Sequence, residues 1–503
     1  MPRDRIIVIG AGIGGLSAAA LLASRGEEVL VLERAASPGG KMRRLEVGGH
    51  LIDGGPTVLT MRWVFEQIFA EAGDNLHDHL TLEPLTVLAR HAWNETDRLD
   101  LHADLDASAD AIGQFAGAAE SRRFLDFSAE ARRIYQTLEG PFIRAQRPNP
   151  VKLATANGLA GLRDMARINP FETMWAGLGR HFRDSRLRQL FGRYSTYCGS
   201  SPFLSPATLM LVAHVEQAGV WAVKGGMHEL ALALESLARR KGATFSYGAE
   251  VTAIETRGGR VSAVRTAAGE LPCSAVIVNA DASSVGSGLF GGSVGKGVAP
   301  VPSPSRSLSA ITWATAARTS GFPLSRHNVF FSRDYAAEFR ELKEGYPTDP
   351  TVYICAQDRE GDVTGPERLL VLVNSPANGD HAPQSREAVE RAMRAKLAAC
   401  GLEVDWQTAD SIVTDPLGFG HLFPATGGAL YGRASHGWMA SFQRPAAKTS
   451  VPGLFLAGGS VHPGPGVPMA ALSGRLAAES LMAWRASTPR FRPAAIAGGI
   501  STA

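Results

Sequence analysis

The sequence predicts an α/β fold whose parallel sheet is assembled from three separated segments of the chain. A β-branched run near the N-terminus, residues 6–9, leads directly into a glycine-rich turn and a helical run. Two further buried-strand candidates, residues 275–281 and 453–460, lie far along the chain, and the second ends in glycines. At 503 residues the chain is too long for one compact core, so a substrate domain and further lobes are expected beside the sheet.

Composition excludes several other classes of protein. Hydrophobic residues make up 45% and charged residues 20%, which excludes a mainly disordered chain. The apolar run 6–23 is too rich in glycine for a signal peptide or a membrane span, and no other run reaches the roughly 18 residues that a span needs. Because the sequence has no CxxC pair, we expect no disulfide framework and no zinc site. This use of cysteine favours a reducing compartment. The four cysteines, which lie far apart, are Cys198, Cys273, Cys355 and Cys400.

The first segment carries the pattern of a dinucleotide-binding βαβ unit. Gly10 permits the tight turn after the strand, Gly12 lets the backbone approach a pyrophosphate, and Gly15 lets helix and strand pack closely. The positive N-terminus of the helix favours the pyrophosphate. Glu33 ends the second strand, where it can accept hydrogen bonds from a ribose, and its charge argues against a 2′-phosphate.

Two glycine clusters after Glu33 predict a cofactor longer than a mononucleotide. The first contains Gly40 and Lys41, and the second contains Gly55 and Pro56. Such clusters allow the backbone to run against a ribityl chain and an isoalloxazine ring, which favours FAD over NAD. The arrangement resembles the flavin amine-oxidase and desaturase superfamily, in which the glycine pair after the acid contacts FAD.

The second segment is predicted to return to the same domain. Residues 249–254 and 260–264 alternate as strands do and are joined through Gly258-Gly259. The superfamily resemblance implies that Val251 meets the adenine through its backbone, and a plain strand position is the alternative.

The third segment combines a strand, a rigid loop and a helix. Residues 453–460 form the strand and its glycine turn, residues 461–469 the proline-rich loop, and residues 470–478 a helical run. The helix N-terminus can stabilise negative charge on a reduced flavin ring. The cofactor-binding residues predicted in this segment are Gly458, Gly459, Val467, Pro468 and Met469.

The loop His462-Pro463-Gly464-x-Gly466-Val467-Pro468 is similar to that of bacterial carotenoid desaturases of the phytoene-desaturase type. Residues 431–442 and 467–475 are most similar to one branch, the 1-hydroxycarotenoid 3,4-desaturases (hydroxyneurosporene or methoxyneurosporene desaturases) of photosynthetic bacteria. The similarity runs from about residue 5 to residue 485. It implies FAD-dependent desaturation of an acyclic carotenoid, with a new C3–C4 double bond in a 1-hydroxylated C40 substrate.

The implied reaction transfers a hydride to flavin N5 and releases a proton. A cation beside a long polyene is delocalised, so no strong protein base is required, and the sequence predicts no catalytic dyad. His462 is the candidate for positioning substrate or relaying a proton, and holding the His-Pro-Gly turn is its alternative role. The electron acceptor, oxygen or a quinone, stays open. His77 and His79 are interpreted as solvated side chains of a turn, and no metal site is predicted.

Other functions stay open at this point. Within the family they are phytoene desaturation and carotenoid isomerisation. Outside it they are oxidation of a small amine, as in a flavin amine oxidase, and a non-catalytic FAD-bound or nucleic-acid-binding protein. No nucleic-acid recognition module is apparent, and no nucleic-acid partner is predicted.

Positive charge is concentrated in residues 121–193, which hold 14 Lys and Arg against 6 Asp and Glu, while the whole chain carries +3. This segregation favours an anionic partner surface. Within it, apolar side chains at helical spacing (Phe124, Phe127, Ala131, Ile134 and Leu138) alternate with the basic side chains Arg122, Arg123, Arg132 and Arg133. A second such pattern comprises Phe171, Met174, Trp175, Leu178 and Phe182. On charge and periodicity alone, a core-facing helix with a solvated basic side is the favoured interpretation, and a membrane-facing helical lobe is the alternative.

A C40 substrate strengthens the membrane prediction, since it gains on the order of 30 kcal/mol by staying in lipid. We therefore expect a cytoplasmic enzyme, peripherally associated with the inner or photosynthetic membrane. Residues 200–222 and 308–331 are expected in the wall of the substrate tunnel, with an ordinary core as the alternative. The predicted units are FAD-binding segments 1–85, 223–292 and 416–488, a helical membrane-facing lobe 86–222, a substrate domain 293–415 and a tail 489–503.

Overall fold

A computed structural model describes residues 4–150, 168–359, 363, 365–381 and 385–487, so the predicted tail lies outside the described residues. One layer is a five-stranded sheet in which all neighbours pair in parallel. Its strands, in spatial order, are β21 (Leu454–Leu456), β13 (Ala275–Val278), β1 (Ile6–Ile9), β2 (Val29–Leu32) and β9 (Thr244–Ser246). Three stretches of chain build this sheet, so the predicted fold class is confirmed.

Helices cover one face of the parallel sheet. Every residue of the central helix α1 (Ile13–Ala23) is buried, because the helix is sandwiched between the sheet and two neighbouring helices. A methyl group on Gly474 would lie 2.1 Å from the Gly14 carbonyl oxygen, so two helices from opposite ends of the chain meet backbone to backbone. The other helices of this layer are α2 (Trp63–Glu71), α8 (His228–Arg240) and α14 (Val467–Ser487).

A three-stranded antiparallel sheet lies against the other face, and its apolar side chains share a core with the parallel sheet. The turn between its first two strands uses Gly258 and Gly259 at φ +60° and +75°, as a two-residue hairpin requires. The elements are β10 (Val251–Arg257), β11 (Arg260–Thr266), β12 (Gly269–Pro272), α9 (Ala282–Gly286) and α10 (Gly292–Gly295).

A seven-stranded mixed sheet forms the second domain. All neighbouring strands pair in antiparallel fashion except the fifth and sixth in spatial order, which pair in parallel. In spatial order the strands are β20 (Asp410–Thr414), β14 (Ser309–Ala317), β18 (Glu367–Ser375), β17 (Val352–Ala356), β16 (His327–Phe330), β6 (Val87–Ala92) and β7 (Arg98–His102). Thus β6 and β7, from the segment predicted as a helical lobe, complete the sheet of the substrate domain.

Short elements surround this sheet. The two-stranded pairs are β3 (Arg44–Val47) with β4 (His50–Asp53), β5 (Leu82–Pro84) with β8 (Trp221–Val223), and β15 (Thr319–Gly321) with β19 (Leu402–Val404). The helices are α11 (Tyr335–Glu341), α12 (Arg386–Ala399) and α13 (Pro416–Leu422).

The helical lobe packs around its own aromatic core, which includes Phe124, Phe127 and Phe191. Its elements are α3 (Leu105–Ala116), α4 (Ala118–Leu138), a π-helical turn Glu139–Ile143, α5 (Met174–His181), α6 (Ser185–Gly192) and α7 (Leu211–Gln217). The apolar face of α4 is therefore not free to enter a lipid interface, while Arg122, Arg132 and Arg133 on its other side are exposed. In the second predicted pattern Met174, Leu178 and Phe182 are also buried.

Among the described residues, no helix is both long enough and apolar enough to cross a membrane.

Candidate active site

The glycine turn after β1 has the geometry of a phosphate cradle. Gly10 ends the strand at φ +98°, and Gly12 precedes the first turn of α1. A methyl group on Gly12 would lie 2.6 Å from Asn279 Nδ2, and one on Gly15 would lie 2.1 Å from the Gly10 carbonyl oxygen. Glycine is required at position 15, where backbone lies against it, and glycine at position 12 leaves room for the close approach of a pyrophosphate at the helix N-terminus.

Glu33 is buried at the end of β2, beside this turn. Its Oε2 accepts a hydrogen bond from the Ala11 N–H at 2.7 Å, and its Oε1 accepts one from the Ala35 N–H at 2.8 Å. Each carboxylate oxygen keeps a further lone pair, which fits a ribose hydroxyl as donor. The backbone of the site is thus organised around this carboxylate.

The two glycine clusters lie against the same turn. A methyl group on Gly40 would lie 3.2 Å from the Gly12 Cα, and one on Gly55 would lie 1.9 Å from the Lys41 carbonyl oxygen. The Lys41 ammonium donates to the Leu430 carbonyl, and burial lowers its pKa. The surface that begins at Gly12 therefore continues through the predicted residues Gly40, Lys41, Gly55 and Pro56.

The third segment meets the first at the other end of the cradle. A methyl group on Gly14 would lie 2.9 Å from the Gly458 nitrogen, and Gly458 takes φ +113°. Gly459 follows in the turn after β21, and Val467 and Pro468 begin α14, followed by Met469. Val251 lies at the start of β10, and its contact with adenine stays a prediction.

Two polar residues of the site were missed by sequence reasoning. Asn279 directly follows β13, and its side chain lies against Gly12, Gly14 and Gly15. Asp53 ends β4, and its carboxylate accepts the N–H groups of Met227 at 2.6 Å and His228 at 3.2 Å, at the N-terminus of α8. For Asn279 the available signal was a polar residue immediately after a buried strand.

A cavity of about 470 Å³ begins at the proline-rich loop. Pro463, Pro465 and Met469 form part of its wall, and Phe171 and Trp438, which are 73% and 41% exposed, bring it to the surface. Most of the remaining wall is apolar and comes from the helical lobe: Leu138, Phe142, Ile168, Leu209, Leu211 and Val212.

The prediction for the tunnel wall is confirmed for residues 200–222 and is wrong for residues 308–331. Leu209, Leu211 and Val212 from 200–222 line the cavity, but no residue of 308–331 does among the described residues. Trp313 and Phe330 from the second segment are instead core residues of the seven-stranded sheet. A continuous apolar run indicates burial without distinguishing a cavity wall from a core.

His462 is buried behind the cavity wall. Its Nε2 donates to the Ala145 carbonyl at 2.9 Å, and its ring packs edge-on against Phe142, which does line the cavity. Burial lowers the pKa of His462 to about 4, so the imidazole is neutral at pH 7. This geometry ties the proline-rich loop to the helical lobe and supports the alternative role, which is to hold the His-Pro-Gly turn in place. A catalytic role stays a prediction.

We expect His462 to make the protein less stable in acid. Its pKa falls from 6.5 in the unfolded chain to about 4 in the folded one, so unfolding takes up a proton between these pH values. The contribution, about 3 kcal/mol, is complete above pH 6.5 and is lost as the pH falls toward 4. Unfolding midpoints from pH 7.5 to 4.5 should therefore fall less steeply in His462→Asn than in wild type. His77→Asn, at an exposed position, is the control, and a wild-type slope in His462→Asn would contradict the expectation.

His77 and His79, which the sequence predicts as side chains of a turn, are each paired with an acidic side chain near the surface. His77 Nε2 lies 3.0 Å from Glu66 Oε1, and His79 Nε2 lies 3.0 Å from Asp74 Oδ1. Among the described residues, no group of three or more His, Cys, Asp or Glu side chains is placed to hold a metal ion.

Comparison with known proteins defines the class. The family described as flavin containing amine oxidoreductase matches residues 13–482, and the chain belongs to it. The glycine cradle and the buried Glu33 fit the FAD that we predicted.

Sequence identity to named relatives assigns the chain to one group within this family. The chain is 52% identical to the hydroxyneurosporene desaturase of Rubrivivax gelatinosus, over 99% of this chain and 97% of that one. It is 44% identical to the Cereibacter sphaeroides protein of the same name, over 97% and 99% of the two chains. It is 27% identical to the 1-hydroxycarotenoid 3,4-desaturase of a Flavobacterium, over 94% and 98%. Within the flavin family, the chain therefore belongs to the carotenoid desaturases.

Solved structures agree on the fold. Cyclohexylamine oxidase from Brevibacterium oxydans superposes with a TM-score of 0.58 at 15% identity, covering 96% of this chain and 99% of the other. At this identity the likeness concerns the fold alone.

Proposed function

We propose that this enzyme desaturates the C3–C4 bond of a 1-hydroxylated acyclic carotenoid in carotenoid biosynthesis, with FAD as cofactor. The observation that carries the proposal is the apolar cavity that runs from the Pro463–Met469 loop to the surface. A cavity with a mainly apolar wall suits a polyene better than a charged amine. The names of the 52%- and 44%-identical relatives support the same substrate class.

The chain's own residues hold the cofactor and shape the reaction space. Gly10, Gly12 and Gly15 would hold the pyrophosphate, Glu33 the ribose, and the Gly458–Gly459 turn with Val467–Met469 the flavin end. When bound, FAD supplies the two-electron acceptor that desaturation requires. The apolar wall excludes water and fixes the polyene beside the loop, so orientation is the main contribution of the protein.

Substrate conversion in vesicles tests the proposal. FAD-loaded protein would be given 1-hydroxyneurosporene, neurosporene or phytoene in liposomes, with oxygen or a quinone as acceptor, and the absorption of the products recorded. The proposal expects a red shift that is largest for the hydroxylated substrate. Conversion of phytoene alone, isomerisation without net oxidation, or turnover of amines only would contradict it.

We propose that the enzyme takes its substrate from a membrane through an apolar collar at the cavity mouth, formed by Phe171, Leu204, Trp438 and Met439. Phe171 packs edge-on against Trp438, and the Gly437 N–H donates to the Leu204 carbonyl, which brings the backbone of Leu204 to the segment that carries the exposed Trp438 and Met439. Contiguous exposed apolar patches mark interaction sites. The exposed arginines of α4 would add attraction to anionic headgroups.

Changing the collar should weaken vesicle binding. In Phe171→Asp/Trp438→Asp, two large apolar side chains that would enter the interface become charged. We expect co-sedimentation with anionic liposomes to fall at least tenfold, since each lost side chain is worth about 1.5–3 kcal/mol of burial. Reversing Arg122, Arg123, Arg132 and Arg133 to Glu should reduce binding to anionic vesicles but not to neutral ones.

Leu289→Asp is the matched control for the collar, because Leu289 is 49% exposed but lies outside the cavity wall. Unchanged co-sedimentation of the collar variant, or an equal loss in Leu289→Asp, would contradict this route of substrate entry.

A further inference from the structure

We infer that Tyr197 recognises the hydroxyl group at C1 of the carotenoid and thereby determines the preference for hydroxylated substrate. This inference rests on the proposed function and extends it to one residue. Tyr197 is one of the polar side chains in the mainly apolar cavity wall. In such a cavity, a few placed polar groups fix the orientation of a ligand and decide its identity.

The Tyr197 hydroxyl is fixed by two buried charged residues. Arg193 Nη2 donates to it at 2.9 Å, and it donates to Glu216 Oε1 at 3.0 Å. Arg193 is 6% exposed and Glu216 is 3% exposed, so the network is shielded from water. Tyr194, which is not part of the cavity wall, donates to the other oxygen of Glu216. The orientation of the Tyr197 proton is therefore set by the protein.

One acceptor position of the Tyr197 oxygen stays available. A phenol has one proton and two lone pairs. The proton is directed to Glu216, and one lone pair accepts from Arg193, which leaves one lone pair for a donor. An alcohol can supply that donor, whereas a hydrocarbon end group leaves the lone pair unpaired in an apolar cavity. Sites built to bond a hydroxyl discriminate strongly against analogues that lack it.

Tyr197 lines the same cavity as Thr60 and Met61, which follow the Gly55-Pro56 cluster of the first cofactor segment. The Tyr353 hydroxyl is 2.6 Å from Thr57 Oγ1, and Thr57 directly follows the Gly55-Pro56 cluster. Tyr353 and Tyr197 both pack against the core of the helical lobe. Tyr197 is therefore close to the chain that continues from the flavin-binding glycines.

The third cofactor segment approaches from the other side. Arg444 lies in the cavity wall and donates to the Gly459 carbonyl at 3.4 Å and to the Tyr431 carbonyl at 2.9 Å. Gly199, two residues after Tyr197, packs against the Tyr431 ring, since a methyl group on Gly199 would lie 2.3 Å from Tyr431 Cδ2. The C1 hydroxyl is two carbon–carbon bonds from C3, so its partner has to lie at this end.

Equilibrium binding to the FAD-loaded protein tests the inference, with 1-hydroxyneurosporene and neurosporene as ligands and protein fluorescence as the readout. Tyr197→Phe should weaken binding of the hydroxylated ligand about tenfold, and it should leave binding of neurosporene unchanged or slightly tighter, because no unpaired lone pair remains. Tyr346→Phe is the matched control, because Tyr346 is a partly buried tyrosine outside the cavity wall, and it should keep the wild-type ratio of the two affinities. Full flavin absorbance and wild-type unfolding midpoints verify that both variants fold. An unchanged affinity ratio in Tyr197→Phe would overturn the inference.

Wild-type protein provides a second test that no folding defect can affect. The 1-methoxy derivative has no proton to donate to Tyr197, so it should bind about tenfold more weakly than the alcohol. Equal affinities would overturn the role of Tyr197. One outcome is that wild type converts the hydroxylated carotenoid while Tyr197→Phe still binds 1-hydroxyneurosporene in preference to neurosporene. In that case only the role of Tyr197 fails, and the proposed function stands. If wild type converts phytoene alone, the proposed function itself fails.

Discussion

Glu33→Arg is expected to yield protein without bound FAD. The substitution removes two hydrogen bonds to the backbone, from Ala11 and Ala35, and places a cation where a ribose hydroxyl needs an acceptor. An unpaired buried charge costs about 3–5 kcal/mol, and the turn that carries Gly12 loses the carboxylate that organises it. The measurement is the ratio of flavin absorbance to protein absorbance after purification.

Two further variants make the result specific to the site. Glu33→Gln keeps the size and one carbonyl acceptor, so it should retain FAD with roughly tenfold weaker affinity. Glu46→Arg makes the same substitution at an exposed position of β3 and should retain FAD fully. Full flavin loading of Glu33→Arg would contradict the assignment of this carboxylate.

Gly474→Val is expected to disrupt the contact between the two ends of the chain. Its first side-chain carbon would lie 2.1 Å from the Gly14 carbonyl oxygen, which is backbone and cannot rotate away. Helices α1 and α14 would have to separate, and we expect a loss of more than about 3 kcal/mol of unfolding free energy together with FAD. Chemical denaturation and flavin retention are the two measurements.

Gly292→Val is the matched control for this variant, because no atom lies within 4 Å of the position that its Cβ would occupy. It should unfold within about 1 kcal/mol of wild type and keep FAD. If Gly474→Val behaves like Gly292→Val, the close crossing of the two helices is not what joins the cofactor segments.

Local patterns predicted the parts of the site that depend on local sequence. The strand before Gly10, the helix after it and the acid at Glu33 follow one another within a single βαβ unit, so their spacing alone defines the geometry. The hairpin at Gly258-Gly259 was predictable for the same reason, since the turn chemistry lies in adjacent residues.

Contacts between distant residues were not predictable. Nothing in the sequence near Tyr197 indicates that Glu216 accepts its proton, because that hydrogen bond depends on how the Arg193–Cys198 turn packs against α7. The apolar run 308–331 was assigned to the tunnel and is core, since hydrophobicity reports burial without saying which face a residue meets. The α4 pattern was ambiguous in the same way and proved to face the protein's own interior.

A single-turnover experiment tests the central claim most directly, namely that both ends of the chain hold one flavin against the apolar cavity. Oxidised FAD-loaded enzyme would be mixed without oxygen or quinone with 1-hydroxyneurosporene in vesicles, and flavin and carotenoid absorbance followed together. We predict that the flavin bleaches at the same rate as the red-shifted product appears, with one product for each FAD. Product formation with the flavin still oxidised, or no bleaching by any carotenoid, would contradict the claim.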